Sequence, residues 1–130
     1  MKHINPEDTI LSQTQHELEC WSKGDTEGYG KFASDDITYF HNVPAKARID
    51  GIQAFRKFMT ALMGQIPPHR YKIVNPKLQM YGDVAIYSLE YHALLPDGKP
   101  LALGRGTCVY HHSGENWKMV HNHWSMLEEA

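Results

Sequence analysis

Long hydrophobic runs are missing from this sequence. No apolar segment approaches the roughly 18 consecutive apolar residues that a membrane-spanning helix needs. Residues 1–6 also lack the apolar stretch of a secretion signal. We therefore expect a soluble cytoplasmic protein that makes no contact with a membrane.

Cysteines and clustered basic residues are equally sparse. The two cysteines, Cys20 and Cys108, show no CxxC spacing, which predicts two free thiols in a reducing compartment. Lysine and arginine total 13 against 15 acidic residues, and no basic cluster stands out, so the pattern argues against a nucleic-acid partner. A chain of 130 residues with 42% apolar content predicts one domain, spanning residues 1–130, with one core.

Helix signals occupy the first half of the chain. Asn5 can cap a helix whose first residue is Pro6, and Gly24 supplies its end. Asp25 can cap a short second helix. A third helix is predicted over residues 51–63, where apolar residues recur at helical spacing and Gly-Pro signals follow.

Strand signals take over after Pro68, where the apolar period changes from about 3.6 to 2. A first strand is predicted at residues 37–41, and four more at 71–81, 84–94, 101–111 and 117–125. Pro76 predicts an edge position or a bulge in the strand at residues 71–81. The order favours an α+β fold in which three N-terminal helices pack on a curved antiparallel sheet. Such a cone-shaped α+β barrel would have a pocket at its open end.

The last predicted strand suggests which side chains line that pocket. Strict alternation would place Trp117, Met119, His121, His123 and Ser125 on one face, which we take as the inner face. Pairing with the preceding strand would then bring Cys108 near His121 and Tyr110 near Met119. The candidate binding residues on this inner surface are Tyr39, His41, Tyr87, Tyr91, Cys108, Tyr110 and Met119.

Three interpretations of the paired histidines stay open. His121 or His123 could act as a general base near neutral pH, with a tyrosine hydroxyl stabilising an enolate oxygen. The same rings could instead form structural hydrogen bonds. With His41 they could also hold zinc, although no acidic ligand is clearly placed. We assign no metal and no cofactor.

The opposite face of the sheet predicts a protein partner. Val109, Val120 and Trp124 fall on that outer face by alternation and are too apolar for solvent. Arg105 and Glu90 fall there as well. A second copy of the chain would cover these residues, so we expect a homodimer formed through the outer face, or a larger oligomer.

Several segments, in order along nearly the whole chain, resemble the nuclear transport factor 2-like superfamily. The matching segments are residues 21–25, 37–40, 50–56, 73–76, 82–83 and 117–125. Within the superfamily the chain is most similar to the SnoaL-like proteins and to the association domain of calcium/calmodulin-dependent kinase II. The resemblance implies the cone-shaped fold, a deep pocket and assembly through the outer face.

The resemblance leaves two functional hypotheses, because the superfamily contains isomerases, dehydratases and inert assembly domains. The first is a homodimeric protein that binds an unknown small molecule, with isomerase- or hydratase-type acid/base activity. The second is a non-catalytic assembly module, as in the kinase association domain.

Overall fold

Nine helices and strands make up the part of the chain that the computed structural model describes, residues 5–42 and 46–127. The helices are α1 (Pro6–Ser22), α2 (Thr26–Tyr29) and α3 (Ile52–Leu62). The strands are β1 (Ala33–Phe40), β2 (Ile49–Asp50), β3 (Arg70–Tyr81), β4 (Val84–Leu94), β5 (Pro100–Ser113) and β6 (Asn116–Met126). Within these two ranges no helix combines the length and the apolar character that crossing a membrane requires.

The predicted starts of α1 and α2 are confirmed by the hydrogen bonds of their capping residues. Asn5 Oδ1 accepts a hydrogen bond from the Glu7 amide at 2.9 Å, and Pro6 is the first residue of α1. Asp25 Oδ1 accepts from the Gly28 amide at 3.0 Å and caps α2. Each cap satisfies an amide that has no partner inside its own helix.

The sheet has the strand order β2-β1-β6-β5-β4-β3. The antiparallel meander of β3 to β6 is as predicted, and the sheet is curved but does not close into a complete barrel. The sequence pattern did not reveal that β1 pairs in parallel with β6 and carries the short β2 on its other side. Pro76 lies on the edge strand β3, where the register shifts between Val74 and Lys77.

A β-bulge in β6 decides which side chains face the core. On β5, Val109 and Tyr110 are consecutive, but their partners on β6 are His121 and Met119. Val120 is therefore an extra residue without a partner on β5. One extra residue reverses the alternation of every side chain that follows it.

The bulge overturns the predicted orientation of the second half of β6. His121 and His123 pair with outer-face residues of β5 and lie on the outer face, where His123 is exposed. Asn122 and Trp124, predicted to point outward, instead point into the core, and Asn122 is completely buried. Cys108 consequently pairs with Asn122 and not with His121, whereas the predicted pairing of Tyr110 with Met119 is confirmed.

The core lies between the inner face of the sheet and the helices. Strand β4 contributes alternate buried residues from Ala85 to Ala93, as a half-buried strand should. Helix α3 packs Phe55 and Met59 against this core, and α1 contributes Ile10 and Leu18.

Candidate functional site

An apolar cavity of about 450 Å³ opens at one end of the cone. Its described lining comes from α1, α2, the end of α3 and the segment after it, the two residues that follow β1, and the inner face of the sheet. These lining residues are Leu18, Trp21, Tyr29, Tyr39, His41, Asn42, Leu62, Gln65, Ile66, Pro67, His69, Tyr91, Ala93, Leu101, Ala102, Gly104, Trp124 and Met126. The size is typical of a site for a small organic molecule.

Aromatic rings form much of the wall and are fixed by hydrogen bonds among themselves. Trp124 Nε1 donates to the Tyr29 hydroxyl at 2.7 Å and to Asn122 Oδ1 at 2.8 Å. The Tyr29 hydroxyl in turn donates to Asn122 Oδ1. The Asn122 side chain is itself fixed by β5, because its Nδ2 donates to the Thr107 carbonyl at 3.1 Å. The cluster therefore presents rigid rings to the cavity, with its polar atoms already paired.

A tyrosine–histidine pair lies deeper along β1. The Tyr39 hydroxyl and His41 Nδ1 are 2.8 Å apart, and both residues are buried, with exposures of 1% and 5%. Phe58 packs edge-on against the His41 ring, with ring centroids 4.9 Å apart. Tyr39 points inward by the alternation of β1, and His41, the first residue after β1, continues that alternation.

A second tyrosine–histidine pair lies near the mouth. His69 Nδ1 is 2.7 Å from the Pro67 carbonyl, which can only accept, so this nitrogen carries the proton. Its Nε2 then accepts from the Tyr91 hydroxyl at 2.6 Å. Tyr91 is further held by stacking on Tyr71, with ring centroids 5.1 Å apart.

Burial determines what these groups can do chemically. Burial, with a smaller contribution from Cys108, raises the pKa of Tyr39, and burial likewise raises the pKa of Tyr29 and of Tyr91. The tyrosines thus keep their protons at neutral pH and serve as hydrogen-bond donors. Burial also raises the pKa of Cys108, which keeps its thiol protonated and a poor nucleophile.

Charge is absent from the described part of the cavity wall, since no Lys, Arg, Asp or Glu is among its lining residues. An ionised ligand would lose its water without gaining a counter-ion.

The model of the SnoaL-like domain family matches residues 11–129, nearly the whole chain. This chain is a SnoaL-like domain. None of the curated proteins matches it.

Solved structures place the same fold in proteins of different assigned roles. A candidate ketosteroid isomerase from Parabacteroides distasonis has 22% identity and a TM-score of 0.79, with 95% of this chain and 89% of that chain covered. An NTF2-like protein of unknown function from Pseudomonas putida has 20% identity and a TM-score of 0.78, with the same coverage. The calcium/calmodulin-dependent kinase II hub of S. rosetta has 24% identity and a TM-score of 0.72, with 97% and 100% covered. Identities this low establish the fold only.

The SnoaL-like domain brings together only part of the site expected from its sequence. Tyr39, His41 and Tyr91 line the cavity. Four other predicted binding residues lie on the inner face but are packed in the core beneath the cavity: Tyr87, Cys108, Tyr110 and Met119. His121 and His123 lie on the far side of the sheet and do not reach the cavity.

The hypothesis of a three-histidine zinc site is contradicted by this placement. His41 faces the interior, whereas His121 bonds through Nδ1 to Thr38 Oγ1 at 2.7 Å on the outer face. Across residues 5–42 and 46–127, no group of three or more His, Cys, Asp or Glu side chains is placed to hold a metal ion.

Sequence reasoning missed a buried carboxyl group in the SnoaL-like domain. Glu17 of α1 is 2% exposed and 2.9 Å from the Tyr110 hydroxyl, which also lies 2.7 Å from Thr14 Oγ1. Burial raises the pKa of Glu17 to about 8, although the hydrogen bond with Tyr110 lowers it in part. Its position on the apolar stripe of α1, one residue before Leu18, was the available signal.

The outer face also carries a concavity, of about 410 Å³. It contains Arg105, whose Nε donates to Ser125 Oγ at 2.9 Å, together with the exposed His123. Glu90 borders it and accepts from His92 Nε2 at 3.0 Å. The predicted outer positions of Arg105 and Glu90 are thus confirmed.

Proposed function

We propose that this SnoaL-like domain binds a small uncharged molecule in its aromatic cavity and catalyses a proton transfer of the isomerase or hydratase type. The observation that carries the proposal is the buried hydrogen bond between Tyr39 and His41 at the cavity wall. These residues replace His121 and His123 as the acid/base candidates, because Tyr39 and His41 line the cavity whereas His121 and His123 lie on the outer face of the sheet.

The geometry of the pair suggests how it would work. In the tautomer whose Nδ1 carries the hydrogen, His41 donates from Nδ1 to the Tyr39 oxygen. The Tyr39 hydroxyl proton is then directed away from His41, toward the oxygen on which negative charge develops. The other ring nitrogen of His41 would take the proton from the substrate carbon, after which each ring nitrogen carries one hydrogen. Base and oxyanion donor would act as one coupled unit.

Replacing either member of the pair should slow proton exchange without unfolding the protein. We expect Tyr39→Phe and His41→Asn each to lower the rate of deuterium uptake from D₂O into a β,γ-unsaturated cyclic ketone by about 100-fold. NMR of the ketone measures the rate. Tyr81→Phe is the matched control, because Tyr81 is 60% exposed and should leave the rate unchanged.

Equal rates in all four proteins would contradict the assignment of Tyr39 and His41. If the wild-type protein binds the ketone in an NMR titration but gives no exchange above background, the cavity is a binding site without turnover.

We further propose that the outer face pairs with a second copy of the chain. The apolar side chains Phe40, Ile86, Val109 and Val120 are only half-buried there, and the Phe40 ring lies 4.8 Å from the ring of His123. A face of this kind is typical of an interface. The fold shared with the S. rosetta hub supports assembly as the second candidate function, with or without turnover.

A charge placed in this face should dissociate the assembly. We expect Val109→Glu to convert dimers to monomers in size-exclusion chromatography with light scattering, because each copy would bury an unpaired carboxylate in the proposed interface. Ala54→Glu adds the same charge on an exposed position of α3 and should leave the size unchanged. A wild-type monomer, or dimers that survive Val109→Glu, would contradict the interface.

A further inference from the structure

Three small residues leave part of the sheet bare inside the cavity. Ala93 and Ala102 are cross-strand partners on β4 and β5, and Gly104 lies two residues further along β5 on the same face. All three line the cavity, and we refer to Ala93, Ala102 and Gly104 as the floor. Because none has atoms beyond Cβ, the floor is as flat as the strand backbone allows.

Aromatic rings stand at the inner edge of the floor. Tyr91 is the cross-strand partner of Gly104, and its ring lies 6.2 Å from that of Trp124 at an interplanar angle of 78°. Each ring is fixed by a hydrogen bond, from the Tyr91 hydroxyl to His69 Nε2 and from Trp124 Nε1 to Asn122 Oδ1. The free space is thus bounded below by bare backbone and on one side by rigid rings.

Two glycines of β5 have different roles in this arrangement. A Cβ atom at Gly106 would lie 2.5 Å from the Trp124 ring, so Gly106 is needed for the indole to lie against the strand. A Cβ atom at Gly104 would meet its nearest neighbour, the Tyr91 carbonyl oxygen, at an ordinary 3.6 Å. The backbone of Gly104 does not have a positive φ, so its conformation does not require glycine. A Cβ atom at Gly104 is therefore sterically allowed, at van der Waals contact with the Trp124 ring (3.7 Å), and its absence leaves the backbone of the floor bare.

We infer that Gly104 is the specificity-determining residue of the cavity, and that the ligand it admits is an uncharged molecule with a flat ring system lying on the floor. The inference rests on the proposed binding function and deepens it. A flat face makes contact with bare backbone over its whole area, whereas a globular molecule of equal size touches it at few atoms. The described wall carries no Lys, Arg, Asp or Glu, so it disfavours carboxylates and ammonium ions by the cost of their desolvation.

The test compares two uncharged alcohols with the same number of non-hydrogen atoms, flat 2-naphthol and globular 1-adamantanol. NMR titration of the full chain should show 2-naphthol bound at least tenfold more tightly than 1-adamantanol. Gly104→Leu should weaken 2-naphthol binding at least tenfold, since the leucine would occupy the floor. Gly104→Ala should change it less than threefold.

Controls separate loss of the floor from loss of the fold. Lys118→Leu adds the same side chain at an exposed position of β6, outside the cavity lining, and should leave both affinities unchanged. If Gly104→Leu does not fold, Ala102→Leu tests the floor from its half-buried neighbour and should weaken 2-naphthol binding in the same way.

The outcomes distinguish this inference from the proposed function beneath it. Equal affinity for the two alcohols, or undiminished 2-naphthol binding by the folded Gly104→Leu or Ala102→Leu protein, would overturn the specificity role and leave the binding cavity standing. If the wild-type protein binds neither alcohol nor the ketone, the proposed binding function itself fails.

Discussion

Glu17→Gln should abolish most of the pH dependence of folding stability between about pH 5 and pH 8. In the unfolded chain the Glu17 carboxyl ionises near its ordinary pKa of 4.5, whereas burial raises the pKa to about 8 in the fold. Between these values the folded protein retains a proton that the unfolded chain releases. The free energy of unfolding therefore falls as the pH rises through this window, and the loss is complete above about pH 8.

The size of the effect follows from the shift. Each pKa unit corresponds to about 1.4 kcal/mol, so the loss of stability is on the order of 5 kcal/mol. Glutamine at position 17 carries no charge, and its Oε1 can accept from the Tyr110 hydroxyl as the Glu17 carboxyl does. The variant should match the wild type near pH 5 and exceed its stability by a few kcal/mol near pH 9.

Urea unfolding at a series of pH values measures this difference. Glu19→Gln is the control on the same helix, because the Glu19 side chain is 46% exposed and its carboxyl keeps contact with water. Parallel stability curves for the wild type and Glu17→Gln across the window would show that the buried carboxyl does not control the pH response.

Asn122→Ala should destabilise the fold by about 3 kcal/mol or more. Asn122 is fully buried, accepts from Tyr29 and Trp124, and donates to the Thr107 carbonyl and to Cys108 Sγ. Truncation leaves the Tyr29 proton without its acceptor and opens a void, and unpaired buried groups and core cavities each cost about 1–3 kcal/mol or more.

The same substitution should weaken ligand binding, because Tyr29 and Trp124 form part of the cavity wall. Urea unfolding at constant pH gives the change in stability, and the 2-naphthol titration gives the change in affinity. Asn116→Ala, on an exposed position of the same strand, should cost less than about 0.5 kcal/mol. A loss below 1 kcal/mol for Asn122→Ala would mean that the buried cluster does not stabilise the wall.

Local signals predicted most of the secondary structure. The caps at Asn5 and Asp25 and the strand alternation of β4 each depend on neighbouring residues only, and all three are confirmed. The inner positions of Tyr39, His41 and Tyr91 followed from the same alternation. The cavity that they line, however, also requires His69 and Trp124, which no local pattern indicated.

The failed prediction, in β6, has an identifiable physical cause. Between Trp117 and Ser125 the residues can be divided into two alternating faces without interruption. The bulge at Val120 therefore cannot be recognised from the sequence of this strand. The parallel pairing of β1 shifts its register in the same region, where Thr38 Oγ1 bonds both the Val120 carbonyl and His121. The bulge is thus accompanied by contacts between strands about 80 residues apart in sequence. The periodicity of a single strand gives no information about such contacts, so it could not predict the bulge.

The sequence by itself determined the order of the three helices and the five longer strands, the starts of α1 and α2, and the side of the sheet that the first half of β6 buries, because caps, turns and short-range alternation act within a few residues. It did not reveal β2, nor that β1 begins at Ala33 and not at residue 37. Only the tertiary structure decided that Asn122 and Trp124, and not His121 and His123, face the interior. It did so because one extra residue in a strand reverses every following side chain, and the pairing of distant strands sets where that residue is accommodated.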